Sequence, residues 1–169
     1  EVFIKMPHHE CHILVVDCNS PDGTGEAVRE ISQEHPNIHL LMEKEKTGLG
    51  GAYIYAFRYL MQNLYPDVIM EMDADFQHNP NDIPRFVEKI EQGYDYVIGS
   101  RFTKGGSIPK EWGFSRKFWS VGGNIFSKAV LGINNVSDFT SGFKASRVRN
   151  YLDRLDLDSV RSKGFAYKI

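Results

Sequence analysis

No apolar run in this 169-residue chain approaches the roughly 20 residues that cross a bilayer, so no transmembrane helix is expected. The first residues also lack a basic segment followed by an apolar signal core, and the expected setting is the cytosol. Cysteine is scarce. Cys11 and Cys18 are too few and too close for a disulfide framework, and two free thiols are expected. An excess of one charge is missing as well. With 20 Lys and Arg against 22 Asp and Glu the formal net charge is −2, so no whole-chain field favours nucleic acid or an anionic bilayer. Repeats and low-complexity segments are absent. What remains, 41% hydrophobic and 25% charged residues, suits one soluble domain over residues 1–169.

His8, His9, Cys11 and His12 crowd the N-terminus, but their spacing matches no standard zinc pattern. They read as a solvated connector leading into a strand. The run Ile13-Leu14-Val15-Val16 is that strand, of the kind buried on both faces of a parallel sheet. The turn-forming residues 19–25 follow, with Thr24 expected to cap a helix in which Ala27, Val28 and Ile31 share a face and which stops near Pro36. A second strand spans Ile38 to Met42. A longer helix opens at Gly48-Leu49-Gly50-Gly51 and places Ala52, Ala56, Phe57, Leu60 and Leu64 on one side until Pro66 closes it. Val68 to Met70 make a third strand, a helix through Ile83, Phe86, Val87 and Ile90 ends at Gly93, and Tyr96 to Ile98 make a fourth strand. This alternation predicts an α/β domain with a mostly parallel sheet, helices on both faces and the site at one edge. The glycine-rich loop between Arg101 and Phe114 is long enough to be a functional lid, and a helix from about Ser115 to Leu131 follows.

Met70-Glu71-Met72-Asp73-Ala74-Asp75-Phe76-Gln77-His78 sets two carboxylates one residue apart after the third strand. Asp73 and Asp75 are expected at the C-terminal edge of that strand, and because successive strand side chains alternate faces, the two carboxylates, two residues apart, are expected to point the same way. Magnesium or manganese needs a few hard oxygens from protein and fills its other positions with water and phosphate, and Asp75 with the amide oxygen of Gln77 could supply them. A polar turn without a metal is the alternative reading of an Asp-x-Asp taken alone.

Five motifs stand in order: Leu14-Val15-Val16-Asp17-Cys18-Asn19-Ser20-Pro21-Asp22-Gly23-Thr24; Gly48-Leu49-Gly50; Met72-Asp73-Ala74-Asp75; Gly99-Ser100-Arg101-Phe102; and Asp138-Phe139-Thr140-Ser141-Gly142-Phe143. In that order and spacing they resemble the dolichol-phosphate (polyprenol-phosphate) mannosyltransferases, inverting glycosyltransferases with the A-type, Rossmann-like fold. The resemblance runs from Ile13 to about Arg147. It implies transfer of mannose from GDP-mannose to a polyprenyl (dolichyl or undecaprenyl) phosphate. Val16 and Cys18 would sit by the guanine and ribose, Asp73 and Ala74 along the nucleotide, and Asp75 and Gln77 on the Mg2+ or Mn2+ of its diphosphate. Arg101 would lie between donor diphosphate and acceptor phosphate, with Arg116 and Ser120 completing the acceptor pocket; Asp75, Arg101 and Arg116 would carry the catalysis.

The chemistry agrees with those roles. GDP leaves poorly unless a cation neutralises the charge growing on its β-phosphate. A phosphate monoester with a second pKa of about 6 is already a strong nucleophile near neutrality, so no general base is required. Two mutually repelling anions need a cationic clamp, and guanidinium forks are shaped for it, which Arg101, Arg116 and Lys117 fit. For Arg116 and Lys117 the alternative is a solvated helix face.

Three departures from the family pattern bear on activity. Asp17 is followed by Cys18 where two adjacent aspartates are usual, and losing a charge-assisted hydrogen bond costs about 1.5–3 kcal/mol of donor affinity. Nothing in residues 1–10 matches the family's Pro-x-Tyr-Asn-Glu motif, and the chain stops soon after Tyr167 where relatives continue. A chain incomplete at both ends is therefore expected. Two other outcomes stay open: transfer from UDP-glucose or UDP-N-acetylglucosamine to the same lipid, or an inactive nucleotide-binding fragment. The lipid acceptor implies peripheral contact at the cytoplasmic face of a membrane, with Trp112, Phe114, Phe118 and Trp119 at the interface and Lys104, Lys110, Arg116 and Lys117 against head groups. Phe118 and Trp119 could instead be core residues, and a separate membrane subunit is left open.

Overall fold

The computed structural model describes residues 5–108, 113–133 and 135–160, without the side chain of residue 116. It divides into two units, one built on the chain up to Pro66 with the segment from Asp156, the other on Asp67–Leu155.

In the first unit the β-branched run becomes β1 (Ile13–Asp17), followed by α1 (Thr24–Glu34) and β2 (Ile38–Met42). The two strands pair in parallel from Ile13 opposite Ile38 to Asp17 opposite Met42. Both therefore end at the same edge, and the residues that follow them, Cys18 and Glu43, emerge side by side. Thr24 is the first helical residue and not the cap. Gly23 takes the cap position in the left-handed region at φ 83°, which carries Thr24 one residue into the helix. Asp22 Oδ1 then accepts from the Thr24 N–H at 3.1 Å and from its hydroxyl at 2.6 Å, doing the work expected of Thr24. The next residue, Gly25, lets α1 approach the strands. A Cβ there would lie 3.0 Å from Asp17 Oδ2 and 3.4 Å from Met42 Sδ. The helix α2 (Leu49–Asn63) buries Gly50, Ala56 and Phe57, and Arg58 pairs with Asp158.

The second unit contains β3 (Val68–Glu71), α3 (Ile83–Glu91), β4 (Tyr96–Ile98), α4 (Phe114–Leu131) and β5 (Lys144–Arg147). Its sheet has the order β3-β5-β4, with β5 antiparallel to both neighbours, so β3 and β4 run the same way. β5 is absent from the sequence reading because Lys144-Ala145-Ser146-Arg147 has one apolar residue in four. Its place between two strands buries Lys144, Ala145 and Ser146 regardless of polarity. Phe86 and Ile90 of α3 pack with Phe143 and Ala145, and Val68, Met70, Ile83 and Val97 close around them. Full burial of each such large side chain contributes about 1.5–3 kcal/mol. Gly99 follows β4 where this core leaves no room, since a Cβ would lie 2.9 Å from Phe86 Cζ and 3.1 Å from Phe143 Cδ1.

Candidate active site

At the C-terminal edge of β1 the side chains form a carboxylate-centred knot. Asp17 is buried and accepts the Ser20 N–H at 3.2 Å, which folds the turn after the strand. Val16 is half-buried within β1. Cys18 donates its thiol proton to Glu43 Oε2 at 2.6 Å. Glu43, itself buried, accepts from the Thr47 N–H at 3.2 Å and from the Thr47 hydroxyl. The bond to Glu43, then burial, then the negative charge of Glu43 push the Cys18 thiol up to about 11, so it is a neutral donor at pH 7. Burial pushes Glu43 up, but the Cys18 and Thr47 bonds together outweigh it and hold its carboxyl below the usual range.

In the second unit β3 ends at Glu71, so Asp73 and Asp75 lie beyond the strand and its alternation does not set their directions. The loop turns sharply at Phe76, whose φ of 62° is left-handed and whose ring is 97% exposed. Asp75 is exposed, and its Oδ1 accepts from the Gln77 N–H at 3.0 Å. Asp73 is half-buried, and its N–H donates to His78 Nδ1 at 3.0 Å. Among the described residues no three His, Cys, Asp or Glu side chains gather into a metal cage. The donor set that is there, the Asp75 carboxylate with the Gln77 amide oxygen on an exposed loop, fits a hard cation that keeps most of its coordination for water and phosphate.

Arg101 follows β4 and is held on one side. Its Nε and Nη2 each donate to Asp138 at 2.7 Å, its backbone N–H donates to Asp138 Oδ2 at 3.1 Å, and Nη2 also reaches Thr140 Oγ1 at 2.6 Å. Asp138 is wholly buried. Burial works against its charge, but the Arg101 bonds and charge prevail and hold its carboxyl below the usual range. Ser137 donates to Ser100 Oγ at 2.7 Å, and the Phe139 N–H donates to Asn124 Oδ1 at 2.6 Å, tying the same loop to the Gly-Ser-Arg turn and to α4.

Along α4, Phe114, Phe118, Trp119, Ile125, Phe126 and Val130 are each at least 60% exposed, so Phe118 and Trp119 are not core residues of this unit. Ser120 carries a buried hydroxyl with no hydrogen-bond partner among the described residues. An unmet buried hydroxyl costs about 1–3 kcal/mol and calls for an explanation. Arg116 is in α4 but its side chain lies outside what is described, as do Lys110 and Trp112 altogether. No helix of the described residues is long and apolar enough to cross a membrane.

Three residues of these clusters had no assigned role in the sequence reading. Glu43 was legible only through the pairing of β1 with β2, which sets the two strand ends together. Asp138 stood within a recognised motif, and burial alone reveals its partner. His78 directly follows Gln77, one of the two residues expected to hold the metal.

Comparison with known proteins covers both units. The glycosyl transferase family 2 pattern matches residues 3–154. Over 160 residues the chain is 42% identical to an undecaprenyl-phosphate mannosyltransferase of Micrococcus luteus, covering 95% of this chain and 64% of that protein. It is 39% identical over 172 residues to a polyprenol monophosphomannose synthase of Mycolicibacterium smegmatis, covering 99% and 63%. A dolichol-phosphate mannosyltransferase of Pyrococcus furiosus is 38% identical over 152 residues, covering 89% and 41%. The chain thus spans less than two thirds of the length of these relatives.

Proposed function

We propose that this chain, which belongs to glycosyl transferase family 2 and has its Rossmann-like A-type fold, transfers mannose from GDP-mannose to a polyprenyl phosphate with inversion at the sugar carbon. The names of the relatives support mannose as the sugar and a polyprenyl phosphate as the acceptor. The observation that carries the reading is the guanidinium of Arg101, fixed in its plane by two bonds to buried Asp138. A cation already oriented stabilises developing phosphate charge without reorganising during the reaction.

The residues divide the work. Val16 and Cys18 meet the nucleoside, and the neutral Cys18 thiol, turned toward Glu43, makes that contact weaker than a carboxylate would. Asp73 and Ala74 lie along the nucleotide, while Asp75 and Gln77 would hold a divalent ion. When bound, magnesium or manganese supplies Lewis-acid neutralisation of the departing GDP. Arg101 draws the acceptor phosphate toward the sugar, and Arg116 and the hydroxyl of Ser120, unpartnered among the described residues, complete its site. The exposed apolar side chains of α4 rest on the cytoplasmic face of a membrane, where the polyprenyl tail resides.

Calorimetric titration of GDP and UDP with magnesium, beside radiolabelled mannose transfer to undecaprenyl phosphate, tests this. Magnesium-dependent GDP binding that is lost in Asp75→Asn is expected. Preference for UDP would reassign the donor, and binding indifferent to Asp75→Asn would remove the metal site.

A further inference from the structure

We infer that His78 is a positioning residue: its ring closes the Asp73–His78 loop and presents Asp75 and Gln77 in a binding-ready form. The inference rests on the proposed metal role of those two residues and adds to it the part that shapes them.

The loop begins as β3 ends and has no strand ladder of its own. Loops hold functional groups less accurately than strands unless something fixes both their ends. Here the ring of His78 does so. Nδ1 accepts the Asp73 N–H at 3.0 Å, which closes a six-residue segment on itself. That bond requires a lone pair on Nδ1 and so places the ring proton on Nε2. The ring also stacks on Phe143, with centroids 5.0 Å apart and planes 14° from parallel. Phe143 is buried and packed against Phe86 at 4.4 Å, so the loop is fastened to the aromatic core of its unit and not merely to itself. Between the two ends, the left-handed turn at Phe76 and the Gln77 N–H bond to Asp75 Oδ1 set the direction of the carboxylate. A non-glycine residue in that region costs about 1–2 kcal/mol and persists only where its surroundings over-determine it. The closure by His78 meets that condition.

Side-chain geometry permits a discriminating test. An Asn amide oxygen lies two bonds from Cβ, as Nδ1 does, and can take the Asp73 N–H, whereas a Gln oxygen lies one bond farther out. Titrating GDP with Mn2+ into the full chain and its variants, the structure predicts that His78→Asn stays within about threefold of the parent while His78→Gln and His78→Leu each weaken binding about tenfold. GDP binding in EDTA, which still involves Asp73 and Ala74, should change much less than binding with Mn2+ in each variant, which separates loss of the metal residues' position from general unfolding. The exchange rate of the Asp73 amide, read by NMR without ligand, should rise in the Gln and Leu variants and not in Asn. Equal binding in all three variants, or His78→Asn falling as far as His78→Leu, would overturn the inference while an effect of Asp75→Asn keeps the metal site. If Asp75→Asn is silent, or the parent shows no manganese-dependent binding, the metal site fails and the role of His78 fails with it.

Discussion

Asp138 and Arg101 are joined edge to edge, two 2.7 Å bonds from Nε and Nη2 meeting the two oxygens of a carboxylate that has no exposed surface. Such a carboxylate cannot be left without its partner cheaply. Removing one member of a buried pair costs about 3–5 kcal/mol. Asp138→Asn, which keeps the shape and loses the charge, should lower stability in urea by about 3 kcal/mol and reduce transfer more than donor binding.

The same pair sets a pH dependence in the acid range. Asp138 titrates below its unfolded value of about 3.9, so its contribution is present above that pH and is lost as pH falls through the lower folded value. Urea midpoints of the parent should therefore drop below about pH 4, and this component of the slope should be absent from Asp138→Asn.

Cys18 should be a slow thiol. With its pKa raised to about 11 by Glu43, burial and nearby charge, only about 0.1% is thiolate at pH 8. Glu43→Gln removes both the carboxylate acceptor and its charge. Alkylation of Cys18 by iodoacetamide at pH 8, followed by mass spectrometry, should accelerate at least about tenfold in that variant. Equal rates would show that Glu43 does not govern the thiol.

Restoring the carboxylate usual in this family should not by itself repair the donor site. In Cys18→Asp a second anion would stand where the thiol now lies 2.6 Å from Glu43. Their repulsion would keep one proton on the pair to a higher pH than a free carboxyl holds it, so the variant keeps its stability below about pH 4 and loses it as pH rises through that raised value. At pH 8 a lower melting temperature is expected, relieved in the double variant Cys18→Asp with Glu43→Gln.

The apolar side chains on α4 should matter for lipid and not for folding. Phe118 is 60% and Trp119 74% exposed, so replacing both by Ser should change stability by less than about 0.5 kcal/mol. Flotation with vesicles containing phosphatidylglycerol should fall severalfold in that variant. Unchanged flotation would remove α4 as the contact surface.

The sequence by itself determined the four strands and three helices whose apolar periods repeat within a few residues, along with the Asp-x-Asp and Gly-Ser-Arg turns that end two of those strands. Local sterics and side-chain spacing are enough for that. The helix α4 was legible to within one residue, expected from about Ser115 and found over Phe114–Leu131, but the exposure of its apolar side chains was not, because a period says which residues share a face and not what covers it. Only tertiary structure decided β5, whose polar residues are buried because two strands flank them. The partnerships of Cys18 with Glu43 and Arg101 with Asp138 span 25 and 37 residues. Their energy lies in desolvation and hydrogen-bond geometry, which arise only when the strands that carry them come together.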